Sequence, residues 1–176
     1  QMAKSRIGEE LYEKLIKNYT YKQWHKFPEE LDKSVLARIP IKDNFDTRYF
    51  TDKYQYLPKY GYTKVFEKML DNPLIEVRLE TDFFEFRNIY DLEGVKIIYT
   101  GPIDTYFQDS QLEKLEYRSI NFKIQKIKNM NYYQPNSVVN YPDLNIPYTR
   151  IVEYKHFLNQ KSKDTIIVSE TTTDIG

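Results

Sequence analysis

Three stretches of this sequence mix aromatic, basic, hydroxyl and amide side chains closely enough to act together. The first is Tyr19, Thr20, Lys22, Gln23 and Trp24; the second is Arg38, Asn44, Asp46, Arg48, Tyr49 and Phe50; the third is Asn140, Tyr141, Pro147, Tyr148, Thr149 and Arg150. Flat rings offer a nucleobase a stacking face worth roughly 1–3 kcal/mol per base. Arginine forks hold phosphate oxygens through charge-assisted bonds of roughly 1.5–3 kcal/mol each. Asn, Thr and Tyr suit sugar hydroxyls, since each can donate and accept. The mixture suits a sugar joined to a nucleoside diphosphate. It also suits a plainer arrangement, in which the rings are core and the arginines pair with acids, Asp143 or Glu153 in the case of Arg150. Residue type alone leaves both open.

Other chemistries are poorly represented. The chain has five Gly and neither a G-x-G-x-x-G nor a P-loop pattern, so this segment does not by itself cradle a dinucleotide in the usual way. No Ser-His-Asp set suggests itself, and no carboxylate pair is spaced for glycoside hydrolysis. With no Cys, disulfides, thiolate catalysis and Cys-based metal sites are excluded, and a reducing compartment fits. The two histidines, His25 and His156, stand far apart, so no metal site is expected, and His156 is given no role. Lys plus Arg and Asp plus Glu are 26 each, a balance poor for binding nucleic acid or an acidic membrane. No apolar run approaches the ~20 residues of a membrane span. The first residues lack the apolar stretch of a signal peptide, and a cytoplasmic location is expected. Tyr is abundant, at 17 residues beside 10 Phe and one Trp, which fits strands, ring stacking or a compositional bias of the source genome.

These residues need elements to position them. Ile7, Leu11, Leu15 and Ile16 recur at helical spacing and predict an amphipathic helix over Ser5–Asn18 with Ser5 as N-cap. Its apolar face has no evident partner, so Leu11, Leu15 and Ile16 are expected to be exposed. A second helical stretch over Tyr19–Arg38 should break at Phe27-Pro28, because the residue before Pro avoids helical angles. Arg38 to Pro58 reads as loop, and Tyr62–Leu70 as a helix after Gly61. Strands are expected over Leu74–Leu79, Val95–Thr100, a half-buried Tyr117–Ile127, Val138–Tyr141, Thr149–His156 and Thr165–Ser169. The tail from Ser169 onward is polar and reads as lacking an element. Helices first and strands later predict an α+β fold with a largely antiparallel sheet. Gln1 stands before Met2, and with the open tail this leads us to expect an excerpt of a longer chain.

Long strings carry a resemblance. YTYKQW (19–24), ARIPIKDNFDTRYFTDKYQYLPKYGYTKVFEKML (37–70), IEVRLETDFF (75–84), IIYTGPIDTYF (97–107), LEYRSINF (115–122) and VVNYPDLNIPYTRIVEYKHF (138–157) resemble the UDP-galactopyranose mutase family, in consistent order over nearly the whole chain. The resemblance implies a flavoenzyme, an isomerase of galactofuranose and cell-surface polysaccharide biosynthesis. It interconverts UDP-galactopyranose and UDP-galactofuranose through a reduced-FAD N5–sugar adduct, the protein holding UDP and sugar in place.

By the same resemblance, Tyr19, Thr20, Trp24, Arg38, Tyr49, Asn140 and Arg150 are expected to bind the substrate. Tyr19 stands beside the uracil, Trp24 at the cleft edge, Arg38 on a mobile loop that grips the diphosphate, and Arg150 near diphosphate and flavin. Tyr99, Thr100, Gly101 and Arg118 are expected at the cofactor. Leu15 and Ile16 stand where relatives often carry Phe, which weakens the case for a second ring at the uracil.

Three segments follow: 1–56, a helical substrate-cleft segment with the mobile loop; 57–114, a helix, a strand and a piece of the flavin domain; and 115–176, an antiparallel sheet segment. The family's Gly-rich FAD unit and closing flavin segment are absent from these residues. FAD is therefore not expected to bind tightly to this segment, which should be inactive alone. The alternative is a stand-alone or degenerate UDP-sugar-binding module without activity. A homodimer through the helical region also fits.

Overall fold

The structure, a computed structural model, describes residues 2–37, 42–113 and 115–174. The chain forms two compact units, Gln1–Leu57 with Tyr117–Gly176, and Pro58–Glu116.

The first unit opens with helices α1 (Met2–Ile7) and α2 (Glu9–Leu11), a π-helical segment Tyr12–Lys17, and α3 (Asn18–Trp24). The expected single helix is interrupted, and Ser5 lies inside α1 rather than capping it. The break falls at Gly8, whose φ of 81° is a left-handed value open to glycine and costly for other residues. Leu11 and Leu15 are 49% and 51% exposed, as expected, whereas Ile16 is half-buried. Tyr12 faces inward and donates its hydroxyl to Glu29 Oε1 at 2.7 Å, which ties the π-helical segment to the 3₁₀ turn Pro28–Glu30. Burial, helped by the Glu29 carboxylate, pushes the Tyr12 phenol well above its ordinary range. Helix α3 ends at Trp24, with His25 left-handed at a φ of 52°, so the helical stretch breaks two residues before the expected Phe27-Pro28; Phe27 itself is extended before Pro28. Helix α4 (Lys33–Ala37) follows.

Four strands, β1 (Arg118–Ile127), β2 (Val138–Asn140), β3 (Arg150–Glu153) and β4 (Thr165–Asp174), form a wholly antiparallel sheet in the order β1-β4-β3-β2. The fold class is α+β, as expected. Two expectations need correction. The polar tail is not open chain: β4 continues past Ser169 to Asp174 and pairs with β1 along its whole length. The run Thr171-Thr172-Thr173 is polar but β-branched, and a ladder needs backbone pairing rather than apolar side chains. Strand β1 is not half-buried, since Ile120, Phe122 and Ile124 are exposed on this edge strand.

The core lies where β3 and β4 run side by side, with Ile151, Val152, Ile167 and Val168 all buried. Neighbours along a strand point to opposite faces, so both faces of these two strands are covered. Partners across the ladders share a face, and every pair here joins two even-numbered or two odd-numbered residues. The even face therefore carries Arg118, Asn140, Arg150, Glu170, Thr172 and Asp174.

The odd face carries Glu153, which is fully buried. Its carboxylate accepts bonds from the backbone N–H groups of Tyr133 and Gln134 at 3.0 and 3.1 Å, from Thr165 Oγ1, and from His156 Nε2 at 3.2 Å. Burial opposes its ionisation, but those donors outweigh it and hold the carboxyl below its ordinary range. His156, stacked on Tyr132 with ring centroids 4.4 Å apart, is part of this structural knot.

The second unit contains α5 (Tyr62–Leu70), α6 (Phe83–Ile89) and α7 (Ile103–Tyr106). Helix α5 matches the predicted span. Asp82 caps α6 by accepting the N–H groups of Phe84 and Glu85 at 2.8 and 3.0 Å, and this helix was not anticipated from the sequence. The expected strands Leu74–Leu79 and Val95–Thr100 join no ladder among the described residues. Phe83, Phe84, Tyr99 and Tyr106 make a ring cluster, yet none of the described residues of this unit is buried.

Candidate functional site

Helix α3 meets the sheet and its β2–β3 connection through three sets of polar contacts. The Tyr19 hydroxyl donates to Asn140 Oδ1 at 3.1 Å. Lys22 Nζ donates to the carbonyls of Tyr141, Asp143 and Tyr148 at 2.5, 3.1 and 2.6 Å. Arg118 Nε donates to the Gln23 carbonyl at 3.3 Å. Tyr19 and Lys22 are three positions apart, so one helical face serves both contacts. A cavity of about 140 Å³ opens beside them, lined by Trp24, Arg118, Ile120, Thr149, Arg150 and Glu170 together with Gln23 and Thr172. A complete small-molecule site occupies roughly 300–1,000 Å³, so this cavity is smaller than a site for a whole nucleotide-sized ligand.

The two arginines are aimed by acids of the same sheet face. Arg150 Nε donates to Glu170 Oε2 at 2.5 Å across the β3–β4 ladder, so neither Asp143 nor Glu153 is its partner. Thr149 holds the Glu170 carbonyl with its N–H at 2.8 Å and its hydroxyl at 3.0 Å, which anchors the acid from behind. The Arg118 side chain is 16% exposed, and its Nη1 pairs with Asp174. Its Nη2 is buried and has no hydrogen-bond partner among the described residues. A buried N–H without an acceptor costs roughly 1–3 kcal/mol, so this atom is suited to an acceptor on a ligand. Two guanidiniums and two carboxylates nearly cancel in charge. The cavity thus offers aimed N–H donors more than a positive field.

Burial pushes the Tyr19 phenol above its ordinary range, against the pull of the Arg150 cation and with some help from Glu170. That coupling puts Tyr19 within electrostatic reach of the Arg150–Glu170 pair. Tyr19 therefore stays protonated and able to donate near neutral pH.

Of the expected substrate residues, Tyr19, Trp24, Asn140 and Arg150 come together, and Thr20 is buried in α3 between them in sequence. Arg118, expected at a cofactor, lines the same cavity. Tyr49 is not drawn in: it is 54% exposed and packs edge-on against Phe50, with ring centroids 4.9 Å apart. Its loop closes on itself, Asp46 taking Lys42 at 3.0 Å and Arg48 at 2.9 Å. Arg38 lies outside the described residues. Tyr99, Thr100 and Gly101 lie in the second unit, where the Tyr99 ring folds so closely over Gly101 that a β-carbon there would clash with it.

Sequence reasoning missed Glu170, Thr172 and Asp174, because the tail was read as open chain. The signal was present. Acids and threonines alternate at Glu170, Thr172 and Asp174, a period-2 pattern on one face of a strand.

An antiparallel sheet with a docked helix, converging on two guanidiniums beside an indole, defines an α+β domain whose cavity presents N–H donors and a ring face. The match to known proteins is narrower. The family model for UDP-galactopyranose mutase matches residues 14–176, and the chain belongs to that family. It is similar to a probable UDP-galactopyranose mutase of Klebsiella pneumoniae, 40% identical over 152 residues, covering 86% of this chain and 38% of the relative. It is similar to a dTDP-fucopyranose mutase of Escherichia coli, 33% identical over 168 residues, covering 93% of this chain and 44% of the relative. A UDP-galactopyranose mutase of Mycoplasma pneumoniae is 35% identical over 163 residues, 87% of this chain and 40% of the relative. The chain thus spans about two fifths of the length of these curated relatives.

Proposed function

We propose that this chain is the UDP-sugar-holding segment of a UDP-galactopyranose mutase, an isomerase that interconverts UDP-galactopyranose and UDP-galactofuranose. Family membership supports the reaction class. The observation that carries the role of this segment is the cavity in which Trp24, Arg118 and Arg150 converge, with the Tyr19–Asn140 bond alongside. Trp24 and Tyr19 supply ring faces for the uracil, Arg150 supplies N–H donors for the diphosphate, and Asn140 meets sugar hydroxyls. Arg38 and Tyr49 enter the same proposal on resemblance alone. The Cys-free sequence supports a cytoplasmic location, and no described helix is long and apolar enough to cross a membrane. The exposed Leu11 and Leu15 support pairing of two copies through the helical region.

The cofactor implied by the resemblance is FAD. The buried Arg118 Nη2, without a partner among the described residues, fits an oxygen of such a group. The Tyr99–Gly101 turn does not fit it, since the Tyr99 ring itself covers Gly101. The fit therefore rests on Arg118. When bound in reduced form, a flavin supplies the nucleophile that displaces UDP from the sugar. The residues of this chain hold UDP before and after that displacement.

Calorimetric titration of UDP into the 176-residue chain tests the reading. Saturable binding that Trp24→Ala and Arg150→Ala each weaken by about tenfold or more is expected. An affinity in both variants unchanged from that of the unsubstituted chain overturns it. The fucose relative carries dTDP in its name, so a parallel titration with dTDP measures how strongly the nucleoside, base methyl and 2′-hydroxyl together, is read.

A further inference from the structure

We propose that Lys22 is a positioning residue that sets the spacing between the ring end and the diphosphate end of this site; the inference rests on the reading of the site given above. An ammonium has three N–H donors. Those of Lys22 meet three carbonyls of one loop, Tyr141, Asp143 and Tyr148, at 2.5, 3.1 and 2.6 Å. All three donors are spent on the backbone, so Lys22 is not a phosphate ligand despite its place among the site residues. The loop it fills is the β2–β3 connection. It begins directly after Asn140 and ends directly before Arg150. Tyr141 N–H closes the loop onto the Thr149 carbonyl at 2.8 Å, and the rings of Tyr141 and Tyr148 meet edge-on at 4.9 Å.

Three carbonyl dipoles converging on one point repel each other unless a cation sits between them. Lys22 is that cation, and it comes from the helix that carries Tyr19 and Trp24. Burial lowers its pKa and Asp143 opposes the shift, which agrees with an ammonium seated inside the loop rather than in solvent. Helix α3 is thus joined to both ends of the hairpin, by Tyr19 to Asn140 and by Lys22 to the loop leading into Arg150. Without Lys22 the helix keeps its rings and the sheet keeps its arginines, but only the Tyr19–Asn140 and Arg118–Gln23 bonds hold them together, and their spacing loosens.

The distinguishing property is the ratio of affinities for UDP and UMP. A ligand that spans both ends feels the spacing, and one that engages mainly the ring end feels it less. In Lys22→Met, UDP affinity is expected to fall about tenfold or more while UMP affinity falls about threefold or less, so the UDP:UMP ratio collapses. Lys22→Gln keeps two N–H donors and is expected to give an intermediate ratio. It serves as the test if the methionine variant does not fold, as judged by far-ultraviolet circular dichroism. A folded variant with an unchanged UDP:UMP ratio overturns the role of Lys22 and leaves the site reading intact. Failure of the unsubstituted chain to bind UDP overturns the site reading and this role with it.

Discussion

The two units of this chain contain similar residues and use them differently. In the first, Ile151, Val152, Ile167 and Val168 are buried because β3 and β4 each have a paired neighbour on both sides. In the second, Leu74, Ile75, Val77 and Leu79 form an equally apolar run, yet Leu74 is 93% exposed and Leu79 81%. Alternation makes a segment ready to be a strand, but burial comes from a partner ladder and a covering layer. The second unit has neither among its described residues. Polar groups follow the same division. Glu153, Lys155 and Thr165 are buried with their bonds satisfied in the first unit, whereas the ion pairs of the second, such as Lys64–Glu67 and Arg78–Glu76, lie in solvent.

The contrast is broken most directly by substitution in the core. Ile151→Ala, at a position only 2% exposed, is expected to cost about 2–5 kcal/mol, read as a lower urea midpoint for loss of the sheet signal. A midpoint unchanged within error contradicts the assignment of the core to β3 and β4.

Next in size is Glu153→Gln, expected to lose about 1–3 kcal/mol, since the amide presents N–H groups where backbone N–H groups already donate. The same variant has a pH signature. The folded-state pKa of Glu153 lies below its ordinary 4.5, so its contribution is fully present above that value. It is lost as pH falls through the lower, folded-state value. Acid unfolding followed from pH 6 downward should therefore be shallower in Glu153→Gln than in the unsubstituted chain. Identical slopes remove Glu153 from the account of acid stability.

The smallest effect is expected in the second unit. Leu74→Ser should change stability by no more than about 0.5 kcal/mol. A loss comparable to that of Ile151→Ala would mean that Leu74 is buried in solution.

Much of this contrast was legible from residue patterns, and the remainder fails for definable reasons. Helix α5 was clear because Gly61 and Asp71-Asn72-Pro73 bracket it, and the extended Phe27 before Pro28 follows from proline sterics. The apolar period around Gly8 predicts one long helix, which the left-handed φ of Gly8 divides. Hydrophobicity predicts a strand that ends at Ser169, and the β-branched Thr171–Thr173 carry β4 on to Asp174. The strands expected at 74–79 and 95–100 show the reverse error, apolar runs without partners. In the site, Tyr19, Trp24, Asn140 and Arg150 were legible as types and as a family likeness. Glu170 and the threefold grip of Lys22 were not, because both depend on a register and a docking that only the folded chain supplies.

The central claim is that one helix and one sheet face of the first unit hold a nucleoside diphosphate. A proton–nitrogen correlation spectrum of the uniformly labelled chain, recorded during titration with UDP, tests it most directly through the Trp24 indole and the guanidinium Nε–H groups of Arg118 and Arg150. The account expects these three signals to shift together and to saturate at one UDP per chain, with the second unit silent. Shifts confined to residues 58–116, or no saturable shift at Trp24 and Arg150, would contradict it.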